Sequence, residues 1–205
     1  MATCELCIFR SDIGKQSIFK KGVTIFLEGE EVDNIYFIKE GIVKLTKLYA
    51  NGEEKLIDIL KPGDFLALLT ILKGSKEYLV TATTLQEVVL EKLNKKTALE
   101  NYQCDSKFKE ACLNCAANRL GVFQNQLFNF SNLDTDDKIM NVLTHLYNKF
   151  GYMKGKKHYI ELPITKTDLA NMVGLRRETL SRKLTSLQND GVISVVKNKI
   201  EFKGM

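Results

Sequence analysis

Three sets of side chains in this sequence have the types and spacing to do chemistry. The first lies between Ile164 and Gln188. There Arg177, Glu178, Ser181, Arg182 and Thr185 fall at helical spacing on one face, opposite Leu175, Leu180, Leu184 and Leu187. Such a face suits the reading of base edges. Arginine binds guanine O6 and N7 in bidentate fashion, glutamate accepts from cytosine N4, and serine serves several bases. Lys183 stands where an apolar residue would suit the buried side. Its stem is expected along the core, with the amine reaching out to a phosphate.

The second set is five cysteines: Cys4 and Cys7 in one Cys-x-x-Cys, Cys104, and Cys112 and Cys115 in another. Four converging thiolates would hold zinc or an iron–sulfur cluster. The same pairs also suit a thiol–disulfide switch. Free cysteine is equally at home as a buried hydrophobe, and residue types alone leave the three readings open. The third set is His145 and His158. Neither has a carboxylate at ligand spacing, and the chain shows no Gly-rich phosphate loop or nucleophile elbow. A cupin-like enzyme is therefore a weak alternative; no catalytic residue and no metal site is assigned.

Elements of particular kinds must position the first set. Thr165 with Asp168 makes a capping-box-like start to a helix. Leu169, Met172 and Val173 supply its apolar side, and small Ala170 allows a second helix to cross closely. Gly174 takes the turn, and the second helix then carries the base-reading face into the major groove. Arg176, at that helix's start, is a poor cap. After Gly191, Val192–Val196 and Lys199–Phe202 read as a hairpin with the basic tip Lys197-Asn198, completing a winged helix-turn-helix. Residues expected at DNA are Arg177, Glu178, Ser181, Arg182, Thr185, Lys183 and Thr165.

Upstream, Asp134–Phe150 reads as a helix with three aspartates in its first turn, Gly151–Lys157 as a basic loop, and Tyr159–Leu162 as a short strand. A long helix runs from about Ser106 to Ser131. Its apolar stripe is Phe108, Cys112, Cys115, Leu120, Phe123, Leu127 and Phe130, interrupted by Asn118 and Arg119. The stripe needs a partner: a twofold copy is the simplest, and the chain's own first domain is the other choice. Before it come short strands with Gly-containing turns: 23–27, 35–38, 42–46, 55–60, 80–84 and 88–93. An Asn51-Gly52 hairpin turn and Pro62-Gly63-Asp64 punctuate them. That pattern predicts an antiparallel barrel or jelly roll, hence an α+β chain in three parts: 1–105, 106–133 and 134–205.

Composition agrees. Residues 138–205 hold 13 basic and 5 acidic side chains, a net of +8, whereas residues 1–137 are at −3. The basic third is the expected footprint for a polyanion. No apolar run reaches the roughly 18–20 residues of a membrane helix. The start, MATCELCIFRSDIGKQ, shows no basic segment followed by an apolar one. A cytoplasmic protein with no membrane partner is expected.

In this order of parts the sequence resembles the Crp/Fnr family of bacterial transcription regulators. The resemblance rests on Gly41 in Glu-Gly-x-Val, on Pro62-Gly63-Asp64-Phe65, and on Gly174-Leu-Arg-Arg-Glu-Thr-Leu-Ser-Arg182. It implies a β-roll (double-stranded β-helix) sensor domain of the cyclic-nucleotide-binding type, a dimerisation helix and a winged helix-turn-helix. It also implies a homodimer on a palindromic operator, with RNA polymerase as a further partner. Arg177, Glu178 and Arg182 would read TGTGA-type half-sites; Glu178, Ser181 and Arg182 suit TTGA-type ones. The family's cyclic-nucleotide members carry a Glu after Phe-Gly, and an Arg-Ser further on. Here the matching stretches are Phe65-Leu-Ala-Leu-Leu69 and Lys76–Ala82, so cyclic AMP is not expected and a basic or apolar small ligand stays open. The cysteines depart from the usual iron–sulfur pattern. They look more like those of the Fnr-like proteins of Gram-positive lactic bacteria, a likeness that implies a redox switch joining Cys4 or Cys7 to Cys112, with Cys115 in the same pair.

Overall fold

The computed structural model describes residues 15–49, 52–132 and 134–203. Eight strands open the chain: β1 (Lys15–Phe19), β2 (Thr24–Phe26), β3 (Asn34–Glu40), β4 (Val43–Leu48), β5 (Glu54–Leu60), β6 (Phe65–Leu66), and, after the short helix α1 (Leu68–Leu72), β7 (Thr81–Thr84) and β8 (Val88–Asn94). Helices α2 (Lys95–Cys104), α3 (Ser106–Asn132) and α4 (Thr135–Phe150) follow. The remainder is β9 (Gly151–Lys154), β10 (Lys157–Glu161), α5 (Lys166–Val173), α6 (Arg177–Asn189), β11 (Ile193–Val196) and β12 (Lys199–Phe202). Two compact units divide between Phe123 and Gln124, inside α3.

In the first unit two antiparallel sheets, ordered β1-β8-β3-β6 and β2-β7-β4-β5, enclose one core. Alternation along β3 and β8 points Tyr36, Ile38, Val88 and Leu90 at Phe26, Leu45 and Ala82 of the second sheet. This is the expected β-roll. Turn chemistry holds it in register. Asp64 Oδ2 accepts from Lys61 N at 2.9 Å, and Gly63 N donates to Ile38 O at 2.9 Å. Gly41 has φ +91°, and a Cβ there would collide with the Glu87 carbonyl and Val88. Only glycine fits both conditions, which explains the Glu-Gly-x-Val turn.

The sequence reading missed several elements. Strands β1 and β6 and helices α1 and α2 escaped it. The basic loop 151–157 is in fact β9 and the first part of β10, which pair antiparallel around Gly155. Of the Asn51-Gly52 turn, Gly52 has φ +81° and its N–H donates to Tyr49 O at 2.9 Å; Asn51 lies outside the described residues. Strands β1 and β9 carry mostly exposed side chains, so no buried face leaves a period-2 signal.

Helix α3 begins where Asp105 Oδ1 accepts from Lys107 N at 2.9 Å and Phe108 N at 3.2 Å. The single stripe read from sequence divides into two faces. Phe108, Ala111 and Cys112 are buried in the β-roll core, with Cys115 packed against it. The Phe108 ring meets Phe65 edge-on at 6.4 Å. Arg119 belongs to this side, 4.0 Å from Asp58 of β5. Leu113, Leu120 and Phe123 are about half exposed. At 100° per residue Leu113 and Leu120 lie more than about a third of a turn from the middle of the core-facing side, with Phe123 nearer to it. The chain's own core therefore takes part of the stripe and leaves the rest uncovered. Leu127 and Phe130 lie outside the described side chains.

Candidate nucleic-acid interface

The second unit is built on α4, whose Ile139, Leu143 and Leu146 are fully buried. Asp134 caps it, accepting from Asp137 N at 2.8 Å, and Asp136 and Asp137 occupy its first turn. There the partial positive charge of the helix end favours carboxylates. The sheet β11-β12-β10-β9 contributes Ile160, Ile193, Ile200 and Phe202 to the core.

Against this core stand α5 and α6. The start of α5 is a full capping box. Thr165 Oγ1 accepts from Asp168 N at 3.1 Å and donates to Asp168 Oδ2 at 2.6 Å; that oxygen also accepts from Thr165 N at 3.1 Å. Leu169, Ala170 and Val173 are buried, and Met172 and Leu175 partly so. Gly174 ends the helix at φ 77°, and Leu175 N donates back to Ala170 O at 2.9 Å. Helix α6 starts at Arg176 with no side-chain cap. Its Leu180, Leu184 and Leu187 are buried, each adding about 1.5–3 kcal/mol of apolar burial.

That burial fixes which face looks out. Arg177, Glu178, Arg182 and Thr185 are exposed and Ser181 is partly so, as the spacing predicts. Thr185 Oγ1 already donates to Ser181 O at 3.1 Å, one turn back. Thr165, expected at DNA, sits at the α5 N-terminus with its hydroxyl engaged in the cap. Lys183 corrects the reading most. Its Nζ lies 3.0 Å from Asp136 Oδ1 and 3.1 Å from Oδ2, so the amine faces α4 within the unit, not outward.

The wing is β11 and β12. Lys197 at its tip is exposed with φ 58°, while Asn198 O accepts from Leu162 N at 2.8 Å. Sequence reasoning missed the cation held on the sheet beside it. Lys199 Nζ lies 4.2 Å from the Tyr159 ring centroid and 5.6 Å from that of Tyr152. The sequence reads 151–157 as a loop, and so gives no sign that Tyr152 of β9 lies beside Lys199. His158 has a structural role, its Nδ1 2.6 Å from the Tyr147 hydroxyl.

The cysteines divide by environment. Cys104 is exposed, Cys115 intermediate and Cys112 fully buried. Burial, aided by the neighbouring Cys115, pushes the Cys112 thiol up to about 12. Cys4 and Cys7 lie outside the described residues. Among the described residues no group of three or more His, Cys, Asp or Glu could hold a metal, and no helix is long and apolar enough to cross a membrane.

Comparison with known proteins agrees with this geometry. Residues 16–103 match the cyclic nucleotide-binding domain family, and residues 137–205 match the Crp-like helix-turn-helix domain. The chain is 30% identical over 176 residues to a CRP-like cAMP-activated global transcriptional regulator of Mycobacterium tuberculosis, covering 85% of this chain and 78% of that one. It is 24% identical over 199 residues to an anaerobic regulatory protein of Bacillus subtilis, covering 95% and 82%. Among solved structures, FixK2 from Bradyrhizobium japonicum superposes with a TM-score of 0.81 at 17% identity, covering 94% of this chain and 93% of that one. With a β-roll, a long helix and a winged DNA-reading unit in this order, the chain belongs to the Crp/Fnr family of DNA-binding transcription regulators, and is not an enzyme.

Proposed function

We propose that the chain acts in the cytoplasm as a homodimer on a palindromic operator of TGTGA or TTGA type, in contact with RNA polymerase, and that cysteine oxidation modulates it. The observation that carries the operator reading is the outward face of α6. Arg177, Glu178, Ser181 and Arg182 project from a helix whose other side is held by three buried leucines. The test is duplex binding across a salt series. Affinity for one of the two palindromes should fall steeply with salt and be lost in Arg182→Ala or Glu178→Ala. Equal binding by wild type and both variants would overturn the reading.

The uncovered side of α3 supports a dimer. Leu113 and Leu120 are a heptad apart, and Phe123 follows at the next core position. Leu127 and Phe130 continue the same series in sequence. A second copy, related by a twofold axis along α3, supplies an identical apolar seam. Two such copies present two α6 helices, the arrangement a palindrome needs.

The redox reading draws on the likeness to the lactic-bacterial Fnr-like proteins, in which an N-terminal Cys-x-x-Cys pairs with a cysteine of the long helix. Between the two helix thiols, exposure favours Cys115 as the partner of Cys4 or Cys7, because Cys112 is buried in the core and burial raises its thiol above the ordinary value. Counting thiols after mild oxidation, in wild type and in Cys115→Ser, tests it. An unchanged count in wild type rules the switch out. Zinc or an iron–sulfur cluster on the two pairs is the competing reading, and metal analysis of the protein as isolated separates them. A cyclic nucleotide fits poorly. The position after Phe65-Leu-Ala is Leu68, buried and apolar, and Lys76 and Glu77 are exposed.

A further inference from the structure

We propose that Lys183 is a positioning residue: its ion pair with Asp136 sets the roll of α6 on α4, and so decides how the base-reading side chains meet the groove. The inference rests on α6 being the DNA-reading helix. Lys183 stands three residues after Leu180 and four before Leu187, on the side of α6 that faces its own unit. Its Nζ donates to Asp136 Oδ2 at 3.1 Å and lies 3.0 Å from Oδ1, a buried oxygen with no other hydrogen-bond partner. Asp136 is held in place in turn. It lies in the first turn of α4, where the helix end favours its charge, and the neighbouring Asp134 carboxylate is already taken by the cap.

The chemistry of this contact differs from the leucine packing of α6; a second directional contact, Gln188 Oε1 accepting from Val195 N at 3.0 Å, lies near the helix's C-terminal end. Leucine contacts are non-directional, and a helix held by leucines alone can roll slightly about its axis. The charge-assisted hydrogen bond from Nζ to Oδ2 is directional and limits that roll. Side-chain tips lie about 5–6 Å from a helix axis, so a roll of roughly 10° moves them about 1 Å. That is enough to break a bidentate hydrogen bond to a base, whose donor–acceptor distance is confined to about 2.7–3.2 Å. The same pair ties α6 to the first turn of α4.

The experiment measures the affinity of the full chain for the palindromic duplex and for a scrambled duplex, across a salt series. Wild type, Lys183→Met, Asp136→Asn, the double variant and Lys183→Arg are compared. Each of the first two single variants should lower affinity for the palindrome about 2–5-fold, the range expected of a part-exposed ion pair. The double variant should be no worse than either, scrambled-duplex affinity should be unchanged, and Lys183→Arg should stay near wild type. The slope of log affinity on log salt should not move. A slope about 0.9 shallower in Lys183→Met, with Asp136→Asn unaffected, would make Lys183 a phosphate contact and overturn the proposal. So would additive losses, no loss, or Lys183→Arg behaving like Lys183→Met. Melting curves of each variant keep a folding defect from passing as a change in recognition. Arg182→Ala on the same duplex is the control for the DNA-reading role itself. If that variant binds like wild type, the assignment of α6 fails; if it alone loses binding, only the role of Lys183 fails.

Discussion

Helices α3 and α6 both bury one face and leave another uncovered, yet what they leave uncovered is opposite in kind. On α6 the hidden face is Leu180, Leu184 and Leu187, and the open face is two arginines, a glutamate and hydroxyls. On α3 the hidden face includes Arg119 beside Asp58, and the open face is Leu113, Leu120 and Phe123. A charged open face is stable in water and gains by meeting an anion. An apolar open face is costly in water and gains by meeting its like. The contrast is what supports the proposal of a polyanion at α6 and a second copy at α3.

The comparison breaks most visibly at the α3 seam. Leu120→Glu with Phe123→Glu should leave the β-roll folded, since neither side chain is buried in its core. Sedimentation should then show a monomer. Affinity for a palindrome should fall about 10²–10⁴-fold, because binding at the second half-site no longer benefits from tethering. A dimer that survives both charges would refute the assignment of the α3 face. Next comes the hidden face of α6. Leu184→Ala should cost about 2–5 kcal/mol of stability, read by denaturant unfolding of the full chain. The open face of α6 should give the converse result. Arg182→Ala should keep the unfolding midpoint and lose about 1–3 kcal/mol of discrimination between the palindrome and a duplex mismatched at one position.

The two helices were not equally legible in the sequence. In α6 a single buried face, a capping box at Thr165 and Asp168 ahead of it and the turn at Gly174 all point one way, so the face assignment holds residue by residue. In α3 apolar spacings of three and four describe two faces about a third of a turn apart equally well. Cys112 and Leu120 therefore fell into one stripe although one is buried and the other exposed. The exposed Leu113 falls off the stripe that runs through Phe108, Cys112 and Cys115. The partner of Lys183 was not legible, because Asp136 is 47 residues away, beyond any local pattern. Strand β4 was legible from alternation, and β3 and β8 from their apolar runs, all three set off by turns. Strand β9 was not, because three of its four side chains are exposed and its pairing is fixed by β10.

The smallest expected effect concerns the hidden face of α3. Burial raises the Cys112 thiol from its ordinary value near 9 to about 12. The folded chain therefore keeps this proton where the unfolded chain has lost it. The stability this provides is complete below about pH 9 and is lost progressively as pH rises toward 12. Between pH 9 and 10 the loss should be about 1 kcal/mol. It should vanish in Cys112→Val, which keeps an apolar side chain but has no proton to lose. Alkylation at pH 8 gives the matching kinetic reading: Cys104, exposed, reacts first, and Cys112 reacts only as the chain unfolds. Equal rates at the two thiols would mean that Cys112 does not face the β-roll core. The division of α3 into a core face and a seam would then have to be redrawn, and with it the contrast with α6.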